Sequence, residues 1–498
     1  MAAERRLPRG RLLLPAFPHV TRTIPARRGV LLGVLVLAIA GGAATGWLAA
    51  SRGLLPTAAV LIGLAGMLVV VSDARAALWA VLGVVTLLPF AVIPVHVKLT
   101  PTLLEVTALV ALGVWFLGLL MRRDERIVTA VPGAWIVLLL AVTLFAFLLG
   151  VNNGYTSETY HDYGKFVLAV LLVIVVWNTT RTLADARRLT TVLLLGGGGA
   201  AGIGLALYAG GASLSLRVLS HLIRYGYPAT RIVRYIEDNP AKQMRLVGTS
   251  VDPNSFGGLL AVVFVLAAAQ AVAKHRLISR WLTVPVAGLS AAALLLTYSR
   301  GAWLGAAAGL AVLALLRYRW LVAPGVLLGV LVLAVGLGAS FLQRLWLGLT
   351  LQDPATKLRL QEYQNALVII RSHPFFGVGF GAAPSILQQT GVSSIYLTVA
   401  EEAGFLGVAA FLVAVGSVGL AGLRHWRRTR ESAAGDLQLA LLAALASALM
   451  VGVFDHYYFD ITFPHMAALF WTVCGLMLAL ARPPGVPQGA VDAAGTLC

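Results

Sequence analysis

Long apolar runs, separated by short polar stretches rich in arginine, repeat along most of the chain. A helix that crosses a bilayer needs about 20 mostly apolar residues, because each residue rises about 1.5 Å through a hydrocarbon core about 30 Å thick. By that length the pattern predicts about fourteen spanning helices. They fall at 29–50, 53–72, 76–94, 101–121, 131–150, 163–180, 189–210, 255–273, 281–298, 301–318, 320–342, 393–421, 437–454 and 461–481. The least marked division is Thr297-Tyr298-Ser299-Arg300-Gly301, which leaves almost no loop between two of them.

Two connections break the short-loop rhythm, at 211–254 and 343–392. In the first, Arg217, His221 and Arg224 recur at i, i+4, i+7, with Leu216, Leu219, Leu222 and Ile223 between them. That spacing predicts an amphipathic helix with a basic stripe. Arg231, Arg234 and Asp238, beside Ile232, Val233, Tyr235 and Ile236, predict a second one. Such helices lie in a membrane interface, and solvated faces that merely anchor the loop give the same pattern. In the second connection, Leu360, Tyr363, Leu367 and Ile370 predict a helix over 357–372, ended by Pro374. Arg359, Glu362 and Asn365 fall on its other face. After it comes Phe375-Phe376-Gly377-Val378-Gly379-Phe380-Gly381. Alternate glycines suit tight turns and close approach of backbone to a ligand, which makes Gly377 and Gly379 candidate substrate contacts. The spacing is not a dinucleotide fingerprint.

Composition sets the class. Of 498 residues, 59% are hydrophobic and 12% charged, against about 45–50% and about 25% in soluble domains. A water-soluble fold, a disordered chain and a nucleic-acid-binding tail are thereby excluded. The expected fold is an all-α polytopic membrane protein with two long structured loops on its outer side. The net charge of +18 is then read by membrane side. With the N-terminus in the cytoplasm, the basic tail 1–28, Arg75, Arg122, Arg123, Arg126, Arg181, Arg187, Arg188, Lys274, Arg276, Arg280, Arg317, Arg319, Arg424, Arg427, Arg428, Arg430 and Arg482 all face inward. Short outer loops are nearly free of Lys and Arg, as the positive-inside rule requires. Both termini are thus expected in the cytoplasm. The basic tail is followed by a run long enough to span, so it does not read as a cleavable signal. The expected division is a tail (1–28), N-terminal helices (29–210), a first outer loop (211–254), central helices (255–342), a second outer loop (343–392), C-terminal helices (393–481) and a tail (482–498). Two cysteines, Cys474 and Cys498, make neither a disulfide framework nor a zinc cluster.

Charged groups beside spanning segments are costly and are functional candidates. Arg245 precedes Asp252-Pro253-Asn254, where Asp252 or Asn254 also suits a helix cap. Arg300 sits at a junction with little loop to snorkel into. Glu401 and Glu402 lie near the start of one predicted helix. Asp455-His456 and Asp460 occupy the last outer turn, with His465 beyond it. A tyrosine-rich turn is ordinary at an interface, whereas an Asp-His pair reads as a general base with its orienting carboxylate. His373 beside Pro374 and His161 beside Asp162 are weaker versions. Guanidinium forks bind phosphates bidentately and stay charged. Arginines on the outer face therefore suit a lipid-linked diphosphate, whose developing charge they would stabilise as it leaves in a glycosyl transfer. No clustered His, Asp or Glu suggests a metal site, so transfer without metal or cofactor is expected.

The chain resembles the O-antigen ligase and polymerase superfamily of bacterial inner-membrane proteins. Four stretches carry the resemblance: Arg245 with Asp252-Pro253-Asn254; Leu296-Thr297-Tyr298-Ser299-Arg300-Gly301-Ala302; Arg359 through Ala366-Leu367 to Pro374 and the glycine run to Gly381; and Tyr396-Leu397 with Glu402, Gly404 and Gly407. The resemblance implies a C-type glycosyltransferase fold and an undecaprenyl-diphosphate-linked glycan donor. Transfer takes place at the outer face of the cytoplasmic membrane. Ligases use lipid A-core as acceptor, and polymerases another lipid-linked repeat unit. The bilayer is the remaining partner, and nucleic acid is none. Residues matching Arg245 and Arg300 are implied to hold the diphosphate, with Arg359 a third; Arg217 and Arg224 complete the expected substrate contacts. One departure stands out: Ser393-Ser394 occupies the place of the family's usual His-Asn pair, whose histidine is the candidate base. His456 with Asp455, Glu402, or leaving-group stabilisation with little base help remain as replacements. The competing class is a lipid-linked oligosaccharide flippase. It should show charged or broken helices at the midplane and internal repeats; no clear repeat is visible, and Glu105 lies near the outer end of its helix. A cell-shape glycan polymerase of the peptidoglycan type is a third reading that no motif favours.

Overall fold

The computed structural model describes residues 66–93, 100–121, 128, 130–323, 325, 327, 354–381 and 391–482. The helix expected at 29–50, most of those at 53–72 and 320–342, the N-terminal tail, the C-terminal tail after Arg482, Arg122, Arg123 and Arg126, and second-loop residues 343–353 and 382–390 lie outside the described residues. The chain divides into Met1–Met67 and Leu68–Cys498. Of the first unit two residues are described, Gly66 and Met67, both helical and exposed. All that follows concerns the second.

Its helices are α1 (Ala74–Leu87), α2 (Leu103–Met121), α3 (Val131–Gly150), α4 (Ser157–Thr179), α5 (Leu183–Ala209), α6 (Gly211–Ser220), α7 (Pro253–Val272), α8 (Arg280–Leu296), α9 (Arg300–Leu316), α10 (Pro354–Ser372), α11 (Ile395–Arg428), α12 (Ala433–Phe454) and α13 (Pro464–Leu480). Among the described residues, seven helices are long and apolar enough to cross a membrane, and four more are apolar but shorter. Boundaries follow local chemistry. At the start of α5, Thr182 and Asp185 form a reciprocal capping box, which satisfies two otherwise orphaned N–H groups. Asp252 caps α7 by accepting from the Asn254 and Ser255 N–H groups, with Pro253 in the first turn.

The centre of the bundle is formed by α7 and α13. Trp471, Phe470, Phe256 and Leu260 are buried along with nearly every other residue of these two helices. In the most apolar window of α7, 78% of the residues are buried, against 22% for α2 and 33% for α3. The outer helices thus turn apolar surface outward, the arrangement a lipid solvent permits and water does not. Gly196, Gly197 and Gly198 on α5 let Thr86, Val263 and Val286 of three neighbouring helices approach within what would be a Cβ contact of 2.8 Å or less, the close helix packing that small residues allow in membranes.

Two ends are distinct. At one end Asp436 is fully buried and takes Arg317 at 3.0 Å and the His275 N–H at 2.7 Å, while Arg75 pairs with Asp185 at 2.9 Å. Lys274, Arg276, Arg280, Arg319 and Arg424 to Arg430 lie on the helix ends and connections there. The other end carries the first loop, the start of α11 and the turn between α12 and α13.

Two expectations are corrected here. The second amphipathic helix of the first loop does not form. Instead β1 (Arg234–Tyr235) pairs antiparallel with β2 (Met244–Arg245). Arg231, Glu237 and Asp238 take positive φ of 55°, 56° and 50°, which no helix admits, and Asp238 ties the turn to Arg231 at 3.1 Å and Arg234 at 3.6 Å. The helix expected as one run over 393–421 reaches Arg428 and is broken at Gly404, where φ is 66° and ψ −168°. The glycine run docks into this break. Val378 and Gly379 donate to the Glu401 and Glu402 carbonyls at 2.8 and 3.0 Å, and Phe405 donates to the Pro374 carbonyl at 2.7 Å. The backbone groups freed by the break are thereby satisfied, as burial demands.

Candidate functional site

The site is assembled from helix ends. The Leu246 N–H donates to the Leu296 carbonyl at 2.9 Å, which joins the segment before α7 to the α8–α9 junction. Arg245 completes the seam: its Nε donates to the Thr297 carbonyl at 2.8 Å and its Nη2 to Asn254 Oδ1 at 2.6 Å. Burial pushes its guanidinium down to about 10, opposed by nearby Asp252, Tyr457 and Asp455, so it stays charged at neutral pH. The backbone is strained on both sides of the seam. Val251 and Tyr298 have φ of 58° and 53°, a region costly for bulky and β-branched residues and one found preferentially at functional sites.

Arg300 opens α9. A Cβ on the next residue, Gly301, would stand 3.1 Å from Asp455 Oδ2, so the first turn of α9 rests against that carboxylate. Arg359 reaches the same group from α10, with Nη2 at 3.5 Å from Asp455 Oδ1. Asp455 is 2% exposed. Burial pushes its carboxyl up to about 6, with Arg359 and His456 acting the other way. Arg359 and Arg245 thus act on one buried carboxylate, and Arg300 belongs to the helix turn that rests against it.

His456 is not oriented by Asp455, which corrects the expected pairing. Its Nε2 lies 3.0 Å from Asp460 Oδ2, four residues on in the same turn. Asp460 is fixed in turn, because its Oδ1 accepts from the Thr462 N–H and hydroxyl, both at 2.6 Å. Burial opposes protonation of His456, yet the Asp460 hydrogen bond and the carboxylates of Asp460, Asp455 and Asp252 raise its affinity for a proton overall. The Tyr457 phenol lies against Asp252 and Asn254, and burial raises it well above the usual range. Its position was visible in the sequence; its participation was not, since the turn reads as an interfacial anchor.

Glu401 and Glu402 project from the first part of α11. The acidic neighbours of Glu402 include Asp460 and Glu401, and the Gly381 N–H bonds to it. Gly377 and Gly379 were expected to approach a ligand. The structure uses them for packing: added Cβ atoms would stand 2.3 Å from the Glu401 carbonyl and 2.0 Å from the Tyr155 hydroxyl. The Tyr155 hydroxyl accepts from the Phe380 N–H at 2.8 Å, and burial pushes that phenol up to about 12. Ser393 donates its N–H and hydroxyl to Glu362 Oε2 at 3.2 and 2.7 Å. A hydroxyl paired with a carboxylate acts there as donor, and Glu362 is the partner the sequence did not single out, although its place on the face of Arg359 was legible.

Arg217 and Arg224 stand apart from this cluster. Both are exposed; Arg224 covers the Tyr225 ring at 5.0 Å, and the Arg217 carbonyl meets His221 Nδ1 at 2.6 Å. Three further sequence candidates have local roles: His161 pairs with Glu105 at 2.5 Å, His373 meets Ser372 at 3.0 Å, and His465 is fully buried in α13 against Phe90.

Residues 285–412 match the family described as O-antigen ligase. The matched segment, about a quarter of the chain, runs from within α8 to the first half of α11 and holds Arg300, Arg359, Gly377, Gly379 and Glu402. Arg245, Asp252, Asn254, Asp455 and His456 lie on either side of it. No curated protein matches the chain.

Proposed function

We propose that this chain, whose residues 285–412 place it in the O-antigen ligase superfamily, transfers a glycan from a polyprenyl-diphosphate-linked donor to an acceptor at the outer face of a bacterial cytoplasmic membrane. The observation that carries the reading is that Arg245 and Arg359 act on the buried Asp455 at one end of a membrane bundle, where the turn of α9 that Arg300 opens also rests. In the transfer, an acceptor oxygen attacks the anomeric carbon while the bond from that carbon to the diphosphate oxygen breaks. The electron pair leaves with the diphosphate. Guanidinium groups already held in place stabilise that charge as it develops, at no reorganisation cost. Arg245 is immobilised by two hydrogen bonds, whereas Arg359 holds a looser ion pair at 3.5 Å, its own side chain 24% exposed, that a diphosphate can replace. Asp252 serves chiefly as the α7 cap and Asn254 as an Arg245 partner. Arg217 and Arg224, exposed on α6 and the turn after it, suit the membrane-facing part of the donor or acceptor.

One observation favours the flippase alternative: α11 is broken at Gly404 beside two acidic residues. A transporter's broken helix is expected near the midplane. This break lies in the first third of α11, on the side of the arginines, and its freed groups bond the glycine run. It fits a site at the membrane face better than a central carrier site.

The test is release of polyprenyl diphosphate from a polyprenyl-diphosphate-linked oligosaccharide by the full chain in lipid nanodiscs. Arg300→Ala is expected to lower turnover about 10²–10³-fold, the loss that follows removal of one donor aimed at developing charge. Because the positive charge is supplied by arginine, excess EDTA is expected to leave the native rate unchanged. Undiminished release by Arg300→Ala contradicts the role given to that residue.

A further inference from the structure

From the turn between α12 and α13 we infer that His456 is the base that takes the acceptor proton, and that Asp460, locked by Thr462, is its positioning residue; this rests on the glycosyl-transfer reading above. The argument begins with satisfied and unsatisfied atoms. His456 Nε2 is engaged by Asp460 at 3.0 Å, and both Asp460 oxygens are engaged, one by His456 and one by Thr462. His456 Nδ1 is buried and, among the described residues, has no hydrogen-bond partner. The adjacent Asp455 Oδ2 is buried and equally without one. Buried polar atoms are left unpaired rarely, and where they are, an explanation is owed. The unpaired Nδ1 of His456 marks a place where a polar group of a ligand would complete the bonding, and the unpaired oxygen of Asp455 faces the first turn of α9.

The chemistry fits that place. The acceptor hydroxyl donates its proton to Nδ1 as its oxygen bonds to the anomeric carbon. The diphosphate departs toward the arginines with the electron pair of the broken bond. Asp460 holds the ring in the tautomer that carries hydrogen on Nε2 and stabilises the imidazolium once Nδ1 is protonated, a division of labour between base and orienting carboxylate. Ser393 cannot take this part, because its hydroxyl already donates to Glu362. Asp455 faces Arg359 through one oxygen, which assigns it to the leaving-group side of this scheme. The charged and titratable groups facing His456 are Asp460 and Asp455 from its own turn, Asp252 before α7 and Glu401 from α11.

The experiment is the pH dependence of polyprenyl diphosphate release and of glycan transfer. It compares the native chain, His456→Gln, Asp460→Asn and Thr462→Val, each full-length in nanodiscs, with a polyprenyl-diphosphate-linked oligosaccharide as donor and acceptor. The native rate should fall at low pH as His456 is protonated. His456→Gln should lose about 10²–10⁴-fold in turnover with no such acid limb. In Asp460→Asn the acid limb should move to lower pH by about one unit, because removing the carboxylate weakens proton affinity; a merely structural residue would lower the rate without moving the limb. Thr462→Val, which keeps the carboxylate, should keep the limb near its native position. Native-like turnover in His456→Gln, or an unmoved limb in Asp460→Asn, overturns the assignment while leaving the arginine-based reading intact. Absence of transfer by the native chain overturns both.

Discussion

At the scale of residues, the decisive fact is which carboxylate meets which cation. Sequence adjacency pairs Asp455 with His456, but adjacent side chains on a turn diverge, and the ion pairs run from Asp455 to Arg359 and from His456 to Asp460. The i, i+4 spacing of His456 and Asp460 was legible; that Arg359, nearly a hundred residues earlier, would claim Asp455 was not, because no local spacing encodes a contact between α10 and the end of α12. Asp455 also yields a stability prediction. Burial raises its proton affinity in the folded state, so folding favours the protonated form. That stabilisation is complete below the ordinary carboxylate range and is lost as pH rises through about 6. Asp455→Asn, which stays neutral, should therefore gain thermal stability relative to the native chain as pH is raised from 5 to 8 in nanodiscs, by an amount on the order of 1–3 kcal/mol. A difference that is flat with pH would show that Arg359 fully offsets the burial. Arg245→Lys retains charge but cannot reach both Thr297 and Asn254 with a fork; turnover should fall at least about tenfold, measured by the same diphosphate release.

At the scale of elements, apolar helices were legible because hydropathy over about 20 residues is a strong signal, and seven of those among the described residues are long enough to span. The run at 131–150 reappears as α3 and the run at 101–121 as α2 within two residues. The helix expected over 357–372 appears as α10, and Pro374 ends it. Failures came where backbone conformation overrides side-chain pattern. The apolar residues 232–236 alternate with arginines in a way that satisfies a helix, yet positive φ at Arg231 and Glu237 turns the chain into a hairpin. The break at Gly404 was hidden inside a continuous apolar run, since a glycine there reads equally as a packing residue. It is now a specific prediction. In Gly404→Ala the new Cβ would stand 2.3 Å from the Phe375 backbone, at a φ of 66°. The variant should lose several kcal/mol of stability, seen as a sharply lower unfolding temperature and poor recovery from membranes. Gly288→Ala on α8, where nothing lies within 4 Å, should be neutral. Equal behaviour of the two would mean that docking of the glycine run does not hold the first part of α11 in place.

At the scale of the whole molecule, charge separates by end. The Arg317–Asp436 end gathers the lysines and arginines of the helix termini and short connections, and the opposite end gathers the first loop and the candidate site. By the positive-inside rule the site is expected outside. Cysteine introduced at Thr230, exposed in the first loop, should react in whole cells with a membrane-impermeant maleimide, while cysteine at Arg276 should react only after lysis. The reverse pattern would put the arginine cluster on the wrong side for a glycan displayed outward.

The central claim is that the glycan changes its covalent partner, and it is tested most directly in proteoliposomes holding the full chain and a polyprenyl-diphosphate-linked oligosaccharide, with products identified by mass spectrometry. The account predicts free polyprenyl diphosphate together with a glycan carrying a new linkage, both lost in Arg300→Ala. Donor lipid recovered chemically intact, but moved between leaflets by the native chain, would contradict it and identify a carrier instead.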